Sequence, residues 1–222
     1  MQAPMPGADL DGRPLPLLTV PQATVWYRVH HETFGAIHFG PRIPPGNRYD
    51  DPACIFGTLY AGETLEVALV ETMLRNPRLR LVSLEEVAVR RWSAIQASRD
   101  LRLVDFCGPG LSAVGTTGGV NTGSYRVSQA WAAALHRHPD GPDGILYLSR
   151  HNPSLRCVAL FDRADLTVTA GASAEFDVPW LASALTLYGK VLTPCDLALV
   201  RWTGFHADLS SACSGVMYPM AE

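Results

Sequence analysis

The stretch TLYAGETLEVALVETML, residues 58–74, places a carboxylate where the apolar period calls for a hydrophobe. On a helix, positions 67, 68, 71, 74 and 75 share one face. Glu71 therefore falls among Val67, Ala68 and Leu74, with Arg75 one turn on. A carboxylate held there needs partners or it protonates. One reading is an edge position, where Glu71 pairs with Arg75 or with an arginine of another strand. The other is a carboxylate aimed into a cleft, to meet a ligand hydroxyl or a nearby arginine. Glu63 and Glu66 fall off this face and read as ordinary solvated charges.

Four further positions have the chemistry to accompany it. Arg28 sits in VWYRVHH, where a period of two sets Trp26, Arg28 and His30 on one face and Val25, Tyr27 and Val29 on the other. Its face is either solvent or an anion clamp that grips phosphate through the planar guanidinium fork. Arg48, in the turn-rich GNRYDDP, is a second candidate of the same kind. Tyr60 ends a strand just before the Ala61-Gly62 turn, where it is either core packing or a flat surface for an aromatic ligand. Ser128 lies at the start of a second helix, with Ser124 four residues earlier. A serine there is a cap or a phosphate contact, since helix N-termini attract anions. His136 and His138 have no Cys or carboxylate at a ligand spacing, which argues against zinc. No Gly-x-Ser-x-Gly elbow and no Cys with a local base supports a nucleophile.

The elements that must position these groups follow from local patterning. ATVWYRVHH and IFGTLYAG read as strands. Thr64 is a plausible N-cap for a helix to about Asn76, stopped by Pro77. LRLVSLEEVAVRRWSAIQ mixes strand with a short helical piece, and LRLVDF is a strand. GPGLSAVGTTGGVNTGS reads as a loop without the lysine of a phosphate loop. SYRVSQAWAAALHRH is a helix by its 3.6-residue period. GILYLS, CVALFD and DLTVTA are strands, PWLASALTLYGKVL is helical and DLALVRW strand-like. Residues 1–23 read as an irregular arm, 24–164 as the core and 165–222 as an extension packed on it. The order of elements makes the chain a mixed α+β domain, not a regular βα alternation.

Bulk properties narrow the function classes. The chain has 222 residues, 47% hydrophobic and 18% charged, enough for one well-packed domain. A net charge of −3 and a pI near 6.1 argue against a broad nucleic-acid surface. Among the basic residues Lys190 is the lone lysine, so anions would be met by guanidinium groups, though a compositional bias toward Arg has the same appearance. Five scattered cysteines without a Cys-x-x-Cys pair suit a reducing compartment. No stretch approaches the ~20 apolar residues of a membrane span, and the start has no secretion signal. The expectation is a cytoplasmic protein with no membrane contact.

Arg28, Glu71 and a downstream serine, in that order, carry a resemblance. WYRV, GNRYDDP, GTLYAGETLEVALVE, YRVSQAWAAAL and DGILYLSR together resemble the RES domain of the RES–Xre toxin–antitoxin systems, over about residues 24–162. The second stretch departs from the family's Gly-Gly-Arg-Trp/Phe-Asn at the glycine and the ring. The resemblance implies an ADP-ribosyltransferase-like α+β fold with a mixed sheet and flanking helices, and a cleft for NAD as substrate, with no metal. It implies cleavage of the nicotinamide–ribose bond with water or phosphate as acceptor, and an antitoxin partner with a helix-turn-helix domain. Carried over by motif, Arg28, Tyr60, Glu71 and Ser128 are the active-site residues, with Arg28, Arg48, Tyr60, Ser128 and Ser149 on NAD; Ser149 is the alternative family serine. Transfer of ADP-ribose to a protein, and an inactive binding module of the same fold, are the other readings. A homo-oligomer is left open.

Overall fold

The computed structural model describes residues 3–40 and 45–193. Its strands are β1 Leu17–Val20, β2 Trp26–His31, β3 Thr58–Gly62, β4 Leu81–Ser83, β5 Arg90–Ala97, β6 Leu101–Phe106, β7 Gly144–Leu148, β8 Arg156–Phe161, β9 Val168–Ala170 and β10 Val191–Thr193. Its helices are α1 Leu65–Met73, α2 Leu84–Ala88, α3 Gly108–Val114, α4 Gly119–Thr122, α5 Tyr125–Arg137 and α6 Val178–Leu187. Eight strands form one sheet in the order β1-β6-β7-β8-β3-β2-β5-β9, while β10 and β4 pair separately. The large sheet is mixed, with β6 and β7 parallel and its other neighbours antiparallel. The fold is α+β, as expected.

Strand alternation distributes the core. Val104, Phe106, Ile145, Cys157, Ala159 and Phe161 face α5, whose Val127, Trp131 and Leu135 cover them. The intervening Leu103, Leu146, Val158 and Leu160 face the opposite side with Leu59 and Ile95. A third cluster packs α1 and α6 over Val29 of β2. The sheet thus carries α5 over one half and α1 over the other.

The seam between those halves is the feature that matters. β2 pairs with β5 along its whole length, Trp26↔Ile95 to His31↔Arg90. Only Tyr27↔Gly62 joins β2 to β3. Beyond that pair the two strands part and leave a cleft between the helices. Gly62 permits α1 to sit tightly at the top of the seam, because a Cβ there would stand 2.3 Å from Val67 Cγ1.

Several elements differ from expectation. β1 lies within the arm read as irregular; it is a four-residue edge strand between Pro16 and Pro21, prolines being tolerated at sheet edges. The sheet therefore runs across both expected boundaries, through β1 and through β9. The glycine-rich loop contains α3 and α4. Pro109 opens α3, and buried Val114 and Val120 anchor the pair despite a composition that disfavours helix. α1 is not amphipathic in the simple sense: Val67, Ala68, Leu69 and Val70 are all buried. It also stops before Asn76. Arg75 Nε donates to Glu71 O in its last turn, and beyond its end the buried Lys190 Nζ donates to Asn76 O and Leu79 O. The strand-like DLALVRW lies outside the described residues. No helix among the described residues is long and apolar enough to cross a membrane.

Candidate functional site

The cleft over the seam has a volume of about 360 Å³, in the range of small-molecule sites. Arg28, Tyr60 and Glu71 all line it, as does Arg48. Four expected site residues, spread over 44 positions of sequence between Arg28 and Glu71 and on four separate segments, are thus brought to one cavity.

Glu71 is delivered by α1. The Thr64 side chain accepts from Val67 N at 3.2 Å and starts the helix, which carries Glu71 to the cleft two turns later. The carboxylate has a specific partner: Ser149 Oγ donates to Glu71 Oε1 at 2.5 Å. Of the two readings of Glu71, pairing with Arg75 is not what the structure has, since the Arg75 guanidinium goes to the backbone instead.

Arg48 is delivered by the GNRYDDP turn. Asp50 Oδ2 accepts from Gly46 N, Asn47 N and Asn47 Nδ2, and Asp50 Oδ1 accepts from Tyr60 OH at 2.9 Å. The Tyr60 hydroxyl in turn accepts from Tyr49 N at 2.9 Å. Tyr60 therefore ties strand β3 to the turn, and its hydroxyl is fully engaged; only its ring is free for a ligand. Arg48 Nη1 donates to Gly123 O, Val120 O and Ser128 Oγ at 3.0, 3.3 and 3.2 Å. Its guanidinium lies 4.7 Å from the Tyr125 ring centroid. Arg48 is 7% exposed, and its Nη2 has no hydrogen-bond partner among the described residues. Burial lowers its pKa from the ordinary arginine value. A buried cation whose acceptors are all neutral is unusual, since buried charges are ordinarily matched by charge.

The serines divide differently from expectation. Ser128 is 0% exposed and is not among the cleft-lining residues; its Oγ donates to Val120 O at 2.6 Å and accepts from Arg48. It is neither a cap nor a group open to ligand, but a prop behind Arg48. Ser149 is the serine on the carboxylate. Glu63 and Glu66, read as solvated charges, are ties as well: Glu63 takes Arg156 N and Nε, and Glu66 takes Tyr188 OH at 2.5 Å.

Arg28 stands where β2 and β3 part. Its Nη1 donates to His38 O at 3.2 Å, and burial lowers its pKa to about 10. It keeps its charge at neutral pH, at an energetic cost that an anion would relieve.

Other wall residues were not anticipated: Asn47, Asn121, Tyr125, Tyr147, Arg150, His151 and Cys157. Arg150 and His151 directly follow Ser149, so the LYLSRHN run carried a signal; Asn121, inside the glycine-rich segment, carried none. Burial holds His151 below the usual histidine range; Arg150, Arg75 and Arg48 act in the same direction and Glu71 against it. Burial, with Glu71 nearby, raises the Cys157 thiol, so it is no thiolate nucleophile at neutral pH. Among the lining residues Arg28, Arg48, Arg75 and Arg150 face a single carboxylate, Glu71. The chain as a whole is at −3. Positive charge is therefore concentrated in the cleft, against the sign of the molecule. No group of three or more potential metal ligands occurs among the described residues.

A family model described as the RES domain matches residues 25–181. Among solved structures, the MbcT–MbcA toxin–antitoxin complex of M. tuberculosis contains a chain of similar fold. The TM-score is 0.56 at 18% identity, covering 77% of this chain and 89% of that chain. No curated protein matches the sequence.

Proposed function

The chain belongs to the RES domain family, and from that premise we propose that it is a toxin that cleaves the nicotinamide–ribose bond of NAD. The observation that carries this reading is the charge of the cleft: four arginines, one of them buried with a nitrogen that has no partner among the described residues, around one positioned glutamate. NAD offers the complement, a pyrophosphate for the guanidinium groups and a ribose for the carboxylate.

In this reading Arg28 and Arg48 hold the pyrophosphate, with Arg48 aimed by Ser128 and by the carbonyls of 120 and 123. Tyr60 presents its ring to the nicotinamide while Asp50 retains its hydroxyl. Glu71 accepts from a ribose hydroxyl and stabilises the oxocarbenium-like charge that develops as the bond breaks, as carboxylates do in glycoside cleavage. Nicotinamide leaves as a neutral molecule from a cationic precursor and requires no general acid. The protein's work is placement and electrostatics. Water as acceptor yields ADP-ribose and a proton; phosphate yields ADP-ribose 1″-phosphate. The fold shared with a toxin of a toxin–antitoxin complex supports a cognate antitoxin as partner.

The test is incubation of purified protein with NAD, with and without phosphate, and identification of the products. Glu71→Gln keeps an acceptor for Ser149 but removes the charge. It should lower NAD consumption by about 10³-fold, on the scale of a lost transition-state electrostatic contact. Wild-type turnover by Glu71→Gln would refute the assignment.

A further inference from the structure

We infer that the turn Ser149–Asn152 sets the position of Glu71, and that Tyr188, just past the end of α6, locks that turn. The inference rests on the assignment of Glu71 above and gives α6 a task in the reaction.

A hydroxyl has one proton to donate and two lone pairs to accept with. At Ser149 all three are used. His151 N and Asn152 N both donate to Oγ at 3.1 Å, and backbone amides can only donate. The proton must therefore go to Glu71 Oε1, 2.5 Å away. Ser149 is 1% exposed, so water does not compete for this geometry. The hydroxyl is a fixed donor whose direction is set by the turn. It ties down Oε1 and leaves Oε2, with no partner among the described residues, to the ligand.

The turn is itself held from outside. Asn152 Nδ2 donates to Tyr188 OH at 2.8 Å, and Tyr188 OH donates to Glu66 Oε1 at 2.5 Å. Asn152 Oδ1 closes the far side by accepting from Ser154 N and Oγ at 3.2 and 2.6 Å. Glu66 and Glu71 both belong to α1, so one turn is fastened to that helix at two points, once through Ser149 and once through Asn152 and Tyr188. Leu181, Ala184 and Leu185 of α6 pack with Leu69 and Val70 of α1 in one cluster. The placement of α6 is thereby coupled to the rotamer of a carboxylate it does not touch. Ser149 and Tyr188 are positioning residues. A displaced carboxylate loses rate steeply, since about 1 Å of misplacement costs on the order of a hundredfold.

The experiment uses the full chain with Ser149→Ala, Ser149→Thr, Tyr188→Phe and the double variant Ser149→Ala/Tyr188→Phe. Ser149→Ala should lower kcat for NAD by tenfold to a hundredfold, on the order expected for lost positioning, with KM held within about twofold. Ser149→Thr, which keeps the donor, should recover most of that loss. Tyr188→Phe should lower kcat by roughly threefold to tenfold, and the double variant should fall no further than Ser149→Ala, because both act through one turn. A change in KM alone, full additivity, or wild-type kcat in Ser149→Ala overturns the inference. A second readout needs no substrate. In the free protein, Tyr188→Phe should speed exchange of the His151 and Asn152 amides by about tenfold while core amides hold. Unchanged exchange overturns the inference even where the wild type proves inert toward NAD; inertness of the wild type by itself overturns the functional reading alone.

Discussion

Arg99, in the turn between β5 and β6, meets Asp143 through two parallel bonds of 2.8 Å and Asp165 through a third of 2.7 Å. Arg48, beside the seam, is more deeply buried and, among the described residues, meets only carbonyls, a hydroxyl and a ring. The difference shows in their pKa: the hydrogen bonds that Arg99 donates to Asp143 raise it above its ordinary value, whereas burial lowers Arg48. An arginine whose charge is matched by carboxylates has a structural reason for its place. One that is buried beside a cavity with neutral acceptors alone among the described residues is a candidate for a charge from elsewhere. The same protein contains both, so composition does not account for the contrast; the local partners do.

The largest effect expected from breaking this contrast falls on the matched side. Asp143 is 2% exposed and also accepts from Arg102 N at 2.8 Å. Asp143→Ala should cost about 3 kcal/mol by leaving these donors without their carboxylate, or roughly 6–12 °C in Tm for a domain of this size. Thermal unfolding measures it, and the KM for NAD of the folded fraction should stay at the wild-type value. A normal Tm would show that the Arg99 network is ornamental.

The unmatched side should respond in the opposite sense. Arg48→Met keeps an unbranched apolar side chain at the position and removes the guanidinium, and with it the charge set over Tyr125. Stability should change by less than about 1 kcal/mol, because a desolvation penalty leaves along with the hydrogen bonds. kcat/KM for NAD should fall about a hundredfold, equivalent to about 2.7 kcal/mol. Tm and steady-state kinetics on one preparation check both halves. A variant with a Tm lowered as far as that of Asp143→Ala but with wild-type kcat/KM for NAD would invert the roles given to Arg48 and Arg99.

What was legible in the sequence divides along the same line. β2, β3, β6, β7 and β8 could be read because β-branched and aromatic runs between turns specify strands locally, and α5 because its apolar residues recur at 3.6. Arg28, Arg48, Tyr60 and Glu71 were legible as one site only through the ordered motifs, since their meeting depends on the parted seam, a property of strand pairing over long range. β1 was hidden by its flanking prolines, and α3 and α4 by glycines that packing overrides. Ser128 and Ser149 could not be told apart, because no local pattern says which hydroxyl is 0% exposed behind an arginine and which reaches a carboxylate 78 positions away. Glu66 looked solvated for the same reason: its partner Tyr188 is 122 positions distant.

The finest probe of the contrast is a pair of histidines. Burial lowers both His136, stacked 3.9 Å from Phe56, and His151, on the cleft wall, below the ordinary value of 6.5. As pH falls through about 6.5, the unfolded chain takes up protons before the native one, so stability declines with falling pH. The decline levels off once the native histidines charge too. Above about pH 7 neither contributes. The arginines distinguish the two: Arg150, Arg75 and Arg48 help to keep His151 neutral, whereas Arg163 and Arg137 act on His136. Inorganic pyrophosphate bound to the cleft would offset the first set and leave the second untouched. Proton NMR titration of the histidines should therefore show the His151 midpoint moving up on adding pyrophosphate while that of His136 stays in place. Equal movement of both would mean a diffuse ionic effect, and no movement of His151 would mean that the unmatched charge of Arg48 does not face an anion in the cleft.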